Sequence, residues 1–356
     1  MGYIDADAHV IECMDTWSYL RPDEERYHPT IITLEPQPGK QSWMKRFWLY
    51  DGVMIPRGLD PKPGTPSEAA RNMQDVAERI SWMDKFGVEV QVIIPSFFIG
   101  AEFKDPRAHV ALARSWNRWM AERCSHDPNR LKWSAVVPFL DIEASIEEMR
   151  WAAKNGAVSV FARALETGKL LSDPYFHPIY AEAEKLGLAV GIHIGNTQTE
   201  IYRQFGGVIF SVVTMAGAFL TLWVSDVPKK FPGLKFAFLE AGSEWINFTF
   251  REISRGADTG MRKHIDVGQC PVAGTNFYIA CTMDEDVGHV LKYVGVDNLV
   301  LGTDFGHEDL GSDLLAHNMF MARTDIDRST LRKICDDNGR KLYNLPPAEK
   351  LAAGAA

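Results

Sequence analysis

Paired cysteines, clustered positive charge and a long uninterrupted apolar segment are all missing from this sequence. Its five cysteines, Cys13, Cys124, Cys270, Cys281 and Cys335, are scattered, odd in number and nowhere spaced as CxxC. Reduced thiols in a cytoplasmic protein fit that pattern better than a disulfide framework or a thiolate zinc site. Lys and Arg number 38 against 47 Asp and Glu, a net charge of -9 with no basic cluster. A nucleic-acid or anionic-membrane surface needs concentrated Lys and Arg, so neither partner is expected. The N-terminus lacks a basic stretch followed by an apolar one, and neither secretion nor membrane insertion is expected. No GxGxxG follows the first apolar run, which removes the main signal for dinucleotide binding.

What is present is ample material for a large core: 46% of the 356 residues are hydrophobic. A chain of this length makes two domains or one α/β barrel with insertions. Eight short runs decide between them. "YIDADAHV" at the start is followed by "EVQVIIP" (89–95), "LKWSAVVPF" (131–139), "AVSVFAR" (157–163), "LAVGIHIG" (188–195), "LKFAFLEAG" (234–242), "NFYIACTM" (276–283) and "NLVLGTDF" (298–305). They are apolar on both faces, as buried parallel strands are. Amphipathic stretches such as "SEAARNMQDVAERISWMDKFG" and "DIEASIEEMRWAAKNG" lie between them, the second ending on a glycine suited to a helix C-terminus. The repeated β-then-α order predicts an α/β fold of the (β/α)8 TIM-barrel type as a single domain over residues 1–345, against an open doubly wound sheet. Residues 20–65, rich in proline, glycine and charge, read as an N-terminal insertion over the barrel mouth or an oligomer contact, and residues 346–356 as a loose tail.

Barrel enzymes gather their chemistry at the C-terminal ends of the strands. Asp7 and His9, two apart on the first strand, share a face. His193 ends the fifth strand, Glu240 the sixth and Asp304 the eighth. Burying any of them unpartnered costs several kcal/mol, a penalty that a cation removes. Each also has a plainer reading: Asp7 or Asp304 as a helix cap, His193 as a satisfied core histidine, Glu240 paired with Arg163. Recurrence at one end of successive strands favours a metal centre.

Here the chain resembles the amidohydrolase superfamily, in the amidohydrolase-related branch that includes aminocarboxymuconate semialdehyde decarboxylase and γ-resorcylate decarboxylase. "DADAHV", "GIHIG", "FPGLKFAFLEAG" and "LGTDFGHED" carry the resemblance across nearly the whole chain. It implies metal ligands at Asp7 and His9, His193 and Asp304. Two departures stand out. Asp7 replaces the first histidine of the HxH form, and Glu240 stands where the decarboxylases carry a histidine that assists catalysis. His307 and Asp309 follow Asp304 directly, so His307 is a further candidate ligand or a hydrogen-bond donor to one, and Asp309 a weaker candidate or a helix cap.

These oxygen and nitrogen donors, with no thiolate, favour Mn or Fe, up to two per chain, with Zn as an alternative. Three chemistries are open. Hydrolysis needs a water activated by the cation and a base, for which Asp304 is placed. Non-oxidative decarboxylation needs a metal-held carboxylate and an acid. A dinuclear Mn/Fe or Fe/Fe pair suits O2-dependent hydroxylation, and the carboxylate-rich pattern resembles a dinuclear subgroup containing α-aminoisobutyrate hydroxylase. That resemblance implies a small carboxylate-bearing substrate and a homologous partner subunit or a homo-oligomer. The hydroxylase is the leading expectation, hydrolase or decarboxylase the alternative, and a metal-bearing scaffold subunit of a hetero-oligomer a further one. Asp304, Glu240 and His307 are the candidate catalytic groups and Arg163 the candidate substrate-carboxylate contact. Trp245 and Tyr175 are candidate pocket or core aromatics.

Overall fold

The computed structural model describes residues 2–35, 45–195, 208–257, 270–308 and 312–348. All eight expected strands form, in the expected order. They are β1 (Tyr3–Val10), β5 (Val88–Pro95), β6 (Leu131–Val136), β7 (Ala157–Arg163), β10 (Ala189–His193), β11 (Phe236–Leu239), β12 (Phe277–Cys281) and β13 (Leu299–Leu301). They make one parallel sheet in the order β1-β5-β6-β7-β10-β11-β12-β13, with helices between consecutive strands. Nearly every residue in them is buried, which is why they read as apolar runs rather than alternating ones.

The barrel closes where the chain beyond β13 returns to β1. Asp304 N donates to Asp7 O at 2.9 Å, His9 N donates to Phe305 O at 2.6 Å, and Ala8 bridges Phe305 in parallel. Glycine makes this approach feasible. A Cβ on Gly302 would lie 2.4 Å from Asp7 Cβ, and Gly306 holds φ +111° against the His9 carbonyl. Only a residue without a side chain allows two backbones that close.

Between β1 and β5 the insertion forms a small antiparallel sheet of β2 (Thr30–Thr33), β3 (Arg46–Tyr50) and β4 (Val53–Pro56). A two-stranded hairpin, β8 (Leu165–Glu166) with β9 (Lys169–Leu170), follows β7. The amphipathic stretch expected as one helix before β5 is two, Glu68–Arg71 and Val76–Phe86. Asn72 causes the break: its side chain accepts from Gln74 N at 3.0 Å, Met73 turns to φ +61°, and Asp75 caps a new helix at Glu78 N. Asn and Asp compete with helical hydrogen bonding in this way. Among the described residues, no helix is long and apolar enough to cross a membrane.

Candidate metal centre

Six side chains from four barrel strands converge at the C-terminal end of the barrel. β1 supplies Asp7 and His9, and β10 supplies His193 as its last residue. Glu240 follows β11 directly, with φ +58°, and Asp304 lies three residues beyond β13, with φ +52°. A left-handed backbone costs a side-chain-bearing residue about 1–2 kcal/mol, so two such turns at carboxylate-bearing strand ends mark where the fold spends stability to aim a group.

The distances are short on every side. His193 Nε2 lies 2.6 Å from Glu240 Oε2, 3.0 Å from His9 Nε2 and 3.8 Å from Asp7 Oδ1. His9 Nε2 lies 3.4 Å from Asp7 Oδ1, 3.5 Å from Asp304 Oδ1 and 3.9 Å from Glu240 Oε2. His307 Nδ1 lies 2.7 Å from Asp304 Oδ1, and its ring stacks on His9 at 4.1 Å. The donors fall into two overlapping sets, Asp7, His9, His193 and Glu240, and His9, Glu240, Asp304 and His307, each with its ligand atoms within 4.8 Å of one another.

These groups fit a divalent cation. Asp7 Oδ1 and Asp304 Oδ1 are buried and, among the described residues, accept no hydrogen bond. Burial, reinforced by the neighbouring Glu240 and Asp304 charges, pushes the Asp7 carboxyl well above its ordinary range. Burial holds His9 and His193 below the usual histidine range, so both rings are neutral and can offer a lone pair. A cation among them converts mutual repulsion into attraction and satisfies the open oxygens. Hydrogen bonds orient the ligands from outside: His193 Nδ1 is 2.8 Å from Ile194 O, and Ser312 Oγ donates to Asp304 Oδ2 at 2.8 Å. Beneath them, buried Asp5 accepts from Thr303 Oγ1 at 2.6 Å and Gln91 Nε2 at 3.1 Å. Burial lifts its pKa to about 6. Gln91 Oε1 accepts from Arg79, which also donates to the His9 carbonyl at 3.0 Å.

A cavity of about 230 Å³ opens beside the centre, lined by Ser96, His307, Arg57 and Glu308 together with the apolar Trp48, Ile55, Phe97 and Ile99. Trp48 and Ile55 belong to the insertion sheet, which therefore forms part of the wall.

With this geometry in view, the chain can be set beside known proteins. Residues 4–345 match the family model described as amidohydrolase. The chain belongs to the amidohydrolase family. 2-Amino-3-carboxymuconate-6-semialdehyde decarboxylase of Dictyostelium discoideum is 25% identical over 297 residues, 80% of this chain and 80% of that protein. Gamma-resorcylate decarboxylase of Rhizobium sp. (strain MTP-10005) is 23% identical over 331 residues, 84% of this chain and 98% of that one. The crystal structure of an amidohydrolase from Mycobacterium avium subsp. paratuberculosis K-10 shares the fold, with a TM-score of 0.76 at 22% identity over 96% of this chain and 97% of the other. The protein is thus a metal-dependent barrel enzyme of the amidohydrolase-related branch.

Some candidates of this amidohydrolase fall elsewhere. Arg163 is not free to receive a substrate carboxylate, because its guanidinium is held by Glu166 at 2.8 and 3.0 Å and by Ala101 O at 2.6 Å. The same pairing keeps it from Glu240. Trp245 and Tyr175 pack with the core, Trp245 against Phe219 and Phe238, and Tyr175 against Phe176 while donating to Phe139 O. Asp309 lies outside the described residues.

Sequence reasoning missed Ser96, which follows β5 and meets His307. It also gave no role to Glu12, whose carboxylate binds the turn at Ser96. Ser96 in "IIPSFF" was findable by the criterion that found Glu240, a polar residue directly after an apolar strand. Glu12 carries no local signal, since its partners lie more than 80 residues away.

Proposed function

We propose that this amidohydrolase removes carbon dioxide from a small carboxylate-bearing substrate without an oxidant, using a divalent cation. The observation that carries the reading is the convergence of strand-end ligands in a chain whose named relatives are decarboxylases. Asp7, His9, His193, Asp304 and His307 would hold the cation, which leaves the Glu240 carboxyl to act on substrate. When bound, the metal supplies positive charge that fixes the substrate carboxylate and an adjacent oxygen and draws electron density from the breaking bond.

The protein's own groups do the rest. Glu240 is the carboxylate best placed to exchange a proton with substrate: its side chain is 13% exposed, against 4% for Asp7 and Asp304. As the carbon–carboxylate bond breaks, its electron pair stays on carbon and takes the proton carried by the Glu240 carboxyl, carbon dioxide leaves, and Glu240 recovers a proton from water. Glu240 thus fills the place of the sixth-strand histidine of the decarboxylases it resembles. Trp48, Ile55, Phe97 and Ile99 give the cavity beside His307 an apolar wall against which the carbon frame of a substrate can pack.

The two overlapping ligand sets favour a second reading, a dinuclear Mn/Fe or Fe/Fe hydroxylase. The named relatives lend it no support. One experiment separates the two: metal-loaded protein is incubated with hydroxybenzoates and amino-dicarboxylates, with and without oxygen. Carbon dioxide equal to substrate consumed under nitrogen supports decarboxylation. Turnover that requires oxygen, without stoichiometric carbon dioxide, replaces it with hydroxylation.

A further inference from the structure

A serine at the start of a helix ordinarily uses its hydroxyl to cap the first free backbone N–H groups. Ser96 occupies that position before the turn Phe97–Gly100, yet its side chain makes no capping bond. The task is done from a distance. Glu12, buried, accepts from Ser96 N at 3.1 Å and Phe97 N at 2.8 Å, and Trp116 Nε1 at 2.9 Å anchors the same carboxylate. The released hydroxyl instead meets His307 Nε2 at 2.8 Å. The other ring nitrogen, Nδ1, faces Asp304 Oδ1, and the ring plane is fixed by stacking on His9.

From this we infer that Ser96 is a positioning residue for the metal centre: it fixes the tautomer and orientation of His307, with Glu12 holding Ser96 in place. The inference rests on His307 being a ligand, as proposed above. A ligating Nδ1 must offer its lone pair, so the ring proton resides on Nε2 and donates to Ser96 Oγ. Without that acceptor the ring is free to take the other tautomer or rotate off Asp304. Outer contacts of this kind change metal affinity 10–100-fold.

The test is a titration of chelator-stripped protein with Mn2+, and separately with Zn2+, by calorimetry, with bound equivalents confirmed by elemental analysis. Four proteins are compared: wild type, Ser96→Ala, Ser96→Thr and His307→Ala. Whatever number of cations the wild type takes up, S96A should weaken by 10–100-fold the same equivalent that H307A removes. Any other equivalent should be unchanged, and S96T, which keeps the hydroxyl, should return to within a few-fold of wild type. If H307A loses an equivalent while S96A titrates like wild type, the positioning role is wrong and the ligand assignment stands. If H307A itself titrates like wild type, the ligand assignment fails, and this inference with it. Should S96A fail to fold, Glu12→Gln, which leaves the hydroxyl in place but loosens the turn, must weaken the same equivalent, and unchanged affinity there overturns the role.

Discussion

Substituting Gly302 by alanine should separate closure of the barrel from every other source of its stability. The added Cβ would sit 2.4 Å from Asp7 Cβ, 3.0 Å from Asp7 O and 3.1 Å from Asp7 Cα. Carbon atoms in contact prefer about 3.5–4.0 Å, so the overlap with Asp7 Cβ exceeds 1 Å, and no rotamer change relieves it because the backbone fixes where Cβ sits. Relief requires the β13 end to retreat from β1, which strains the packing by about 1–3 kcal/mol. The closing hydrogen bonds from Asp304 N and His9 N stretch with it, at about 1 kcal/mol each. At about 2.1 cal/mol/K of unfolding entropy per residue, a loss of about 3–5 kcal/mol lowers the Tm of this chain by about 4–7 °C. Gly217→Ala is the control. It lies within the helix Val208–Val224 with no described residue within 4 Å of the site of its Cβ, so helix propensity applies and Tm should rise by about 1 °C. Calorimetric scans of the two variants should therefore move in opposite directions. A G302A protein melting within a degree of wild type would refute the claim that glycine is what lets the barrel close here.

Three further outcomes are expected. Stripping the cation should lower Tm by about 3–4 °C relative to protein held at 100-fold the dissociation constant, where binding contributes about 2.7 kcal/mol, and His193→Ala should abolish that difference. Burial holds His317 down to about 4 while its Nε2 meets Ile4 O, so the ring stays neutral when folded and charges on unfolding. Its contribution is complete above pH 6.5 and is lost as the pH falls toward 4, so His317→Gln, which keeps a donor, should shrink the stability lost between pH 7.5 and 4.5 by about 2.5 kcal/mol, measured by denaturant unfolding. Equal losses in both proteins would rule this out. Trp116→Phe removes one N–H from Glu12 and should cost about 1.5–3 kcal/mol, a loss visible in the same unfolding curves.

Strand order was legible because it rests on burial alone: a strand covered on both faces is a short apolar run, and each of the eight is flanked by helical periodicity. Asp7, His9, His193, Glu240 and Asp304 were legible for the complementary reason, as charges interrupting those runs. What stayed hidden depends on partners far along the chain. Arg163 at a strand end looks available for substrate until Glu166, three residues on, folds back onto it through the β8–β9 hairpin. The break at Asn72 follows from one side-chain hydrogen bond inside an otherwise regular amphipathic pattern. Ser96 stands where a capping serine would, but Glu12, 84 residues earlier, binds the turn and leaves the hydroxyl to His307.

The placement of the insertion separates two kinds of change. All six converging donors sit on or just after barrel strands, while Trp48 and Ile55 in the cavity wall come from one contiguous excursion between β1 and β5. Substitutions, or even a changed length, within that excursion can reshape what fits beside His307 and leave the ligand geometry untouched. Descendants of such a chain can therefore explore new substrates by editing a single stretch of sequence while inheriting the reaction intact.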